Sequence, residues 1–121
     1  MIVPERFDVI REMFLTKFDE LFGPMLCGRV YTPEQTKHAK TVVPSDTELF
    51  VSFGYENKLF GTRRLNLPLP AEAGCGMMVA CGYYVIGCLQ KQKEPYFKNH
   101  IEAYTREASR IFGQPISPLV G

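Results

Sequence analysis

Net charge is almost absent from this chain: 14 lysines and arginines stand against 13 acidic residues, a formal +1 over 121 residues. That balance excludes the whole-molecule field that announces a nucleic-acid or anionic-membrane partner, so a partner of either kind needs a local patch. Signature motifs are missing too. There is no G-x4-G-K-[ST] phosphate loop ("FGTRRL" at 60–65 lacks the spacing), no G-x-S-x-G elbow, no H-E-x-x-H and no G-x-G-x-x-G. Cys27, Cys75, Cys81 and Cys88 include no C-x2-C pair, which removes the compact zinc and thioredoxin-like patterns, and only His38 and His100 are present to complete a distant metal site. No metal and no cofactor is expected.

The composition that remains is that of a folding chain. Hydrophobic residues make up 45% and charged residues 22%, which excludes disorder and coiled-coil or collagenous classes. The length suits one domain, 1–121, with a single core. The start, "MIVPERFDVIREMF", carries acidic residues where a secretory signal needs a basic start and an apolar stretch, so the expected location is cytoplasmic and the cysteines are expected as thiols.

Two helices are legible. Phe7, Ile10, Phe14, Phe18 and Leu21 repeat at three-and-four spacing, Pro4 suits the first turn, and "FGP" at 22–24 supplies the stop. Near the other end, Phe97, Ile101, Tyr104, Ala108, Ile111 and Phe112 share a face, with Pro95 before them and Gly113 and Pro115 after. The tail from 114 to 121 reads as irregular. Between the helices, "MLCGRVY" (25–31), "TELFVSF" (47–53) and "RRLNLPL" (63–69) read as strands, and "GYENK" (54–58) reads as the turn of a long hairpin over 47–69.

The run "GCGMMVACGYYVIGC" (74–88) is the hardest to place. The uncharged stretch from Ala73 to Leu89 is 17 residues, about 25 Å of helix against a roughly 30 Å hydrocarbon core, and its four glycines make it a weak span. As a helix its boundaries are acceptable, but each interior glycine costs about 1 kcal/mol relative to alanine. Its β-branched and aromatic content favours a covered central strand. The predicted fold is therefore α+β: an N-terminal amphipathic helix, a three- to four-stranded antiparallel sheet with a long hairpin, and a C-terminal helix, both helices on one sheet face.

Three functional readings follow. The first is a non-enzymatic protein-interaction module, a homo-oligomeric assembly component, adaptor or inhibitor. It uses Tyr55, Lys58, Phe60, Arg63 and Arg64 on the open arm of the hairpin, where aromatic and basic side chains interleave. The second is a small-ligand or nucleic-acid binder using the 54–65 hairpin with the polar connection 32–47, whose Lys37, His38 and Lys40 form a candidate anion-binding loop. The third is a small enzyme resting on His38, Asp46 or Cys27, the last set two residues from Arg29. The solvated-loop reading of 32–47 and the core reading of 74–88 compete with all three. No membrane partner is expected.

Overall fold

The computed structural model describes residues 1–38, 46–93 and 96–117. Proline at residue 4 opens a short 3-10 turn, Glu5–Ile10, which runs directly into α1, Arg11–Phe22. Phe7, Ile10, Phe14 and Phe18 lie buried, as the spacing predicts; Phe22 is buried with them, whereas Leu21, which the spacing placed in the stripe, is half-buried. Gly23, at φ 50°, ends the helix in a conformation that side-chain-bearing residues disfavour.

The antiparallel α+β expectation is overturned. Among the described residues there are four α-helices and only two strands, β1 (Leu49–Phe53) and β2 (Arg63–Leu67), and the strands are parallel. Leu49 pairs with Arg63 and Phe53 with Leu67, so the chain crosses back to the start of the sheet through residues 54–62 and does not fold over as a hairpin. Such crossovers usually take about a dozen residues or more. This one is short because it is built on a buried side chain. Asn57 donates through Nδ2 to the Phe60 carbonyl (2.8 Å), and its Oδ1 accepts from the Phe60 and Leu59 amides (2.8 and 3.2 Å). Gly54 and Gly61, at φ 61° and 70°, make the two bends at either end.

Residues 25–31 form no regular strand. Tyr31 makes an isolated parallel bridge to Ile2, and Ile2 makes a second one to Ser52. The Ile2 amide donates to Val51 (2.8 Å) and the Val3 amide to Tyr31 (2.8 Å), so the first three residues lie between Tyr31 and β1. These isolated bridges extend the two-stranded sheet beyond β1, in the order Tyr31, residues 1–3, β1, β2.

The connection 32–47 is not wholly a loop either, because Pro33–His38 form α2. Thr32 Oγ1 accepts from the Gln35 amide (3.3 Å) while Gln35 Oε1 accepts from the Thr32 amide (3.0 Å), a reciprocal capping box. Lys40 and Ser45 lie outside the described residues.

The strand reading of 74–88 fails as well. Cys75–Gln92 form α3, and Tyr96–Phe112 form α4. Met78, Gly82, Val85 and Ile86 are the buried positions of α3, a helical spacing that the β-branched content disguises. The glycine penalty is offset by packing. A Cβ on Gly82 would overlap the ring of Phe14, so glycine is what lets α3 lie against α1 at that level; Phe14 also meets Tyr83 edge-on at 5.8 Å. Gly87, on the same helix, has nothing within 4 Å of its absent Cβ.

α1 therefore stands between α3 and α4. Its phenylalanines, with Met78, Val85 and Ile86 from α3 and Val3, Val30, Val51 and Phe53 from the sheet, make the main core. The other sheet face is not left open as expected: Phe60 and Tyr55 from the crossover cover Ile2 and Phe50 there. Gly113, at φ 65°, ends α4. Beyond it the Ile116 amide returns to Ser109 Oγ at 2.9 Å; residues 118–121 of the irregular tail, and Pro95, lie outside the described residues.

Two alanine substitutions in α3 separate helix propensity from packing. Gly82→Ala is expected to destabilise by about 1–3 kcal/mol through overpacking on Phe14, whereas Gly87→Ala is expected to stabilise by roughly 0.5–1 kcal/mol. Urea unfolding midpoints at one low protein concentration distinguish the two; equal shifts would contradict the α1–α3 contact described above. A third substitution tests the sheet. Ser52 is fully buried and its Oγ has no hydrogen-bond partner among the described residues, so Ser52→Ala is expected to raise stability by about 1 kcal/mol, read as a higher melting temperature.

Candidate functional site

The aromatic and basic residues of 54–65 are brought close together, but not as one open ribbon. Phe60 is buried and Tyr55 half-buried, both against Ile2 and Phe50. Arg64 turns its guanidinium back onto the crossover, donating to the carbonyls of Lys58 (2.7 Å), Gly61 (2.8 Å) and Phe60 (3.2 Å). These are the same carbonyl-rich turns that Asn57 holds from inside, so Arg64 closes the loop. Lys58 and Arg63 are exposed; Lys58 lies 3.3 Å from Glu56, an ion pair in open solvent. Of the five residues, Phe60 and Arg64 build the protomer. Lys58 and Arg63 remain on its surface. The exposed apolar side chain of this loop is Leu59, which the charge-and-aromatic pattern did not single out.

The candidate anion loop fares similarly. Lys37 and His38 sit in the last turn of α2, and Lys37 Nζ is 2.6 Å from Glu34 Oε1 on the same helix. That pair, hydrogen-bonded and opposite in charge, raises the Lys37 pKa and lowers that of Glu34. An anion would have to displace Glu34 from an exposed lysine, where solvent screening leaves little to gain.

The three residues considered for catalysis are placed on separate elements. His38 ends α2, Asp46 is exposed in a bend before β1, and Cys27 is exposed on the segment leading to Tyr31. Among the described residues no three His, Cys, Asp or Glu side chains converge as metal ligands. His100 is a packing residue. Its ring stacks on Tyr96 at 4.1 Å and its Nδ1 donates to the Tyr96 carbonyl at 2.7 Å, while Tyr96 covers Gly23 at the end of α1.

Cys27 does have chemically distinctive neighbours. Tyr31, Cys27 and the Glu48 carboxylate lie near Arg29 and together favour its charged form, raising its pKa. The Met1 amine lies in the same region and donates to the Arg29 carbonyl at 2.6 Å. Burial pulls its pKa down from 8.0 to about 5, with Glu48 acting weakly in the opposite sense.

A different surface is left open by the helices. α4 carries a clear apolar stripe, yet among its described side chains only Ala108 is buried. Ile101 is half-buried, while Tyr104 is 60%, Ile111 62% and Phe112 68% exposed. α3 shows Met77 and Tyr84 to solvent as well. Among the described residues no helix is long and apolar enough to cross a membrane. The exposed stripe was legible as an amphipathic pattern, but the pattern says only that a face is apolar and not what covers it.

No protein-family model matches this chain, and no match was found to a curated protein or to a solved structure.

The depressed amine gives a pH dependence with a definite sign. Between about pH 5 and pH 8 the unfolded chain binds the proton that the folded chain refuses, so stability rises with pH across that window and is lost as pH falls through it. In a chain carrying this free amine, urea midpoints are expected to increase from pH 5.5 to 7.5. The Nα-acetylated chain is expected to lack that part of the rise, and identical slopes would refute the assignment.

Proposed function

We propose that this chain is a protein-interaction module that assembles with a second copy of itself through the outer face of α4. The observation that supports this reading is the exposure of Tyr104, Ile111 and Phe112 on a helix whose apolar positions are otherwise in register. Residues 97, 101, 104, 108 and 111 repeat at alternating four- and three-residue intervals, the spacing of a helix–helix seam. The small side chain of Ala108 meets the protomer while the large ones flank it uncovered. An apolar patch of this kind on a soluble surface marks an interaction site or an aggregation liability.

A second copy is favoured as the occupant by charge. Along α4 the signs alternate, Lys98, Glu102, Arg106, Glu107 and Arg110, and Glu107 is paired with Arg110 on its own helix. Neither end of the helix presents a block of one sign that a symmetric partner would repel, and the whole chain carries only +1. An isologous two-fold contact then lays the same patch against itself. Assembly component, adaptor and inhibitor are all roles such a module fills, and a reducing, cytoplasmic setting is consistent with four unbridged cysteines, three of them exposed. The 54–65 arm supports the polyanion reading less well, because Arg64 is committed to its own loop.

The expected mass by light scattering is that of a dimer at tens of micromolar. Ile111→Asp combined with Phe112→Asp is expected to give a monomer with the wild-type melting transition, since both side chains are solvent-exposed in the protomer. Arg63→Ala should leave the mass unchanged. A wild-type monomer at every accessible concentration, or a double variant that still dimerises, would defeat the proposal.

A further inference from the structure

A cavity of about 310 Å³ opens beside Arg29, at the end of the sheet where Met1 and Leu49 begin their rows. Its walls are apolar: Phe18 from α1, Val85 and Leu89 from α3, Leu26, and Val51 from β1. Gly28 lies against the ring of Phe18, where a Cβ would overlap it. The absence of a side chain there keeps the ring seated as the wall. Arg29, Tyr31, Cys27 and Glu48 also line the cavity, and Tyr31, Cys27 and Glu48 all lie close enough to Arg29 to raise its pKa.

This arrangement, mostly apolar walls with a few polar groups near Arg29, is that of a small-molecule site, and the volume is at the lower end of the range for such sites. At roughly 30 Å³ for each water-sized volume, it accommodates about ten heavy atoms. We infer that the cavity binds a small aliphatic or aromatic monocarboxylate, with its apolar body between Phe18, Val85 and Leu89 and its carboxylate on the Arg29 guanidinium.

Two observations select an acid over other apolar ligands. Arginine remains charged at all accessible pH, and its planar fork matches a carboxylate. Arg29 also lines a cavity whose walls are mostly apolar, so a ligand with an anionic head and an apolar body meets both. Glu48 is the protein's own carboxylate near this guanidinium. It is exposed, immediately before β1, and its charge competes with that of a bound acid for the arginine.

That rivalry gives the site a test with opposite signs. The probes are octanoate, below its micellar concentration, and 1-octanol, titrated by calorimetry and by chemical-shift perturbation. Octanoate is expected to bind in the sub-millimolar range, at least tenfold more tightly than the alcohol. Arg29→Gln is expected to abolish that preference, and Glu48→Gln to strengthen octanoate binding several-fold. Both residues are exposed, so neither variant should compromise folding. Val85→Phe fills the cavity and is expected to weaken both probes, and the Arg29 and Glu48 pair carries the test if that variant fails to fold. Absence of octanoate binding to the folded chain, equal binding of acid and alcohol, or shifts of the same sign in the Arg29 and Glu48 variants would each overturn the inference.

Discussion

The packing of α1 requires backbone, not side chain, beneath its aromatic rings. Phe14 lies on Gly82, Phe18 on Gly28, and Tyr96 of α4 lies on Gly23 just past the last turn of α1. These close approaches set the spacing of the three longer helices and of the segment leading to Tyr31. A methyl group at any one of them would force the rings or the backbones apart, and interiors packed as densely as crystals accommodate such shifts poorly. The cavity beside Arg29 inherits its shape from the same constraint, since Phe18 is both a core ring and a cavity wall.

The two long amphipathic helices were readable because their apolar residues repeat at the helical period over many turns, and because Pro4, Gly23 and Gly113 punctuate them. The segment at 74–88 was misread because intrinsic preference and tertiary need point in different directions there. Glycine disfavours an isolated helix, and valine, isoleucine and tyrosine suggest a strand. The stronger signals were the length of the uncharged run, well beyond that of an ordinary strand, and the spacing of Met78, Gly82, Val85, Ile86 and Leu89. The start of α2 was also written in the chain: Thr32 followed three residues later by Gln35, with Pro33 between, is a capping box with proline in the first turn.

The direction of β2 was harder to see. Alternation in Arg63–Leu67 is equally compatible with parallel and antiparallel pairing, because it records which side chains share a face and not which way the chain runs. The distinction lies in Asn57 and Arg64, two ordinary loop residues by composition, whose hydrogen bonds fold residues 54–62 into a plug over Ile2 and Phe50. The site residues were misjudged for a related reason. A guanidinium or an aromatic ring looks like a recognition group in a sequence, but Arg64 and Phe60 satisfy the loop's own carbonyls and apolar face. Of the residues around the cavity, Cys27 and Arg29 stand out in the sequence as neighbours, but Met1, Phe18, Glu48 and Leu89 do not, because they come from distant places in the chain.

The position of residues 1–3 between Tyr31 and β1 also bears on the order in which the protein assembles. Residues 1–3 occupy an interior row, and their partners at Val51 and Phe53 are synthesised some fifty residues later. Until then Ile2 and Val3 have no sheet to join, while α1 has no α3 to receive its rings. Nascent chains of this topology therefore carry an exposed aromatic stripe until α3 is made, and they close in a step dominated by sequence-distant contacts.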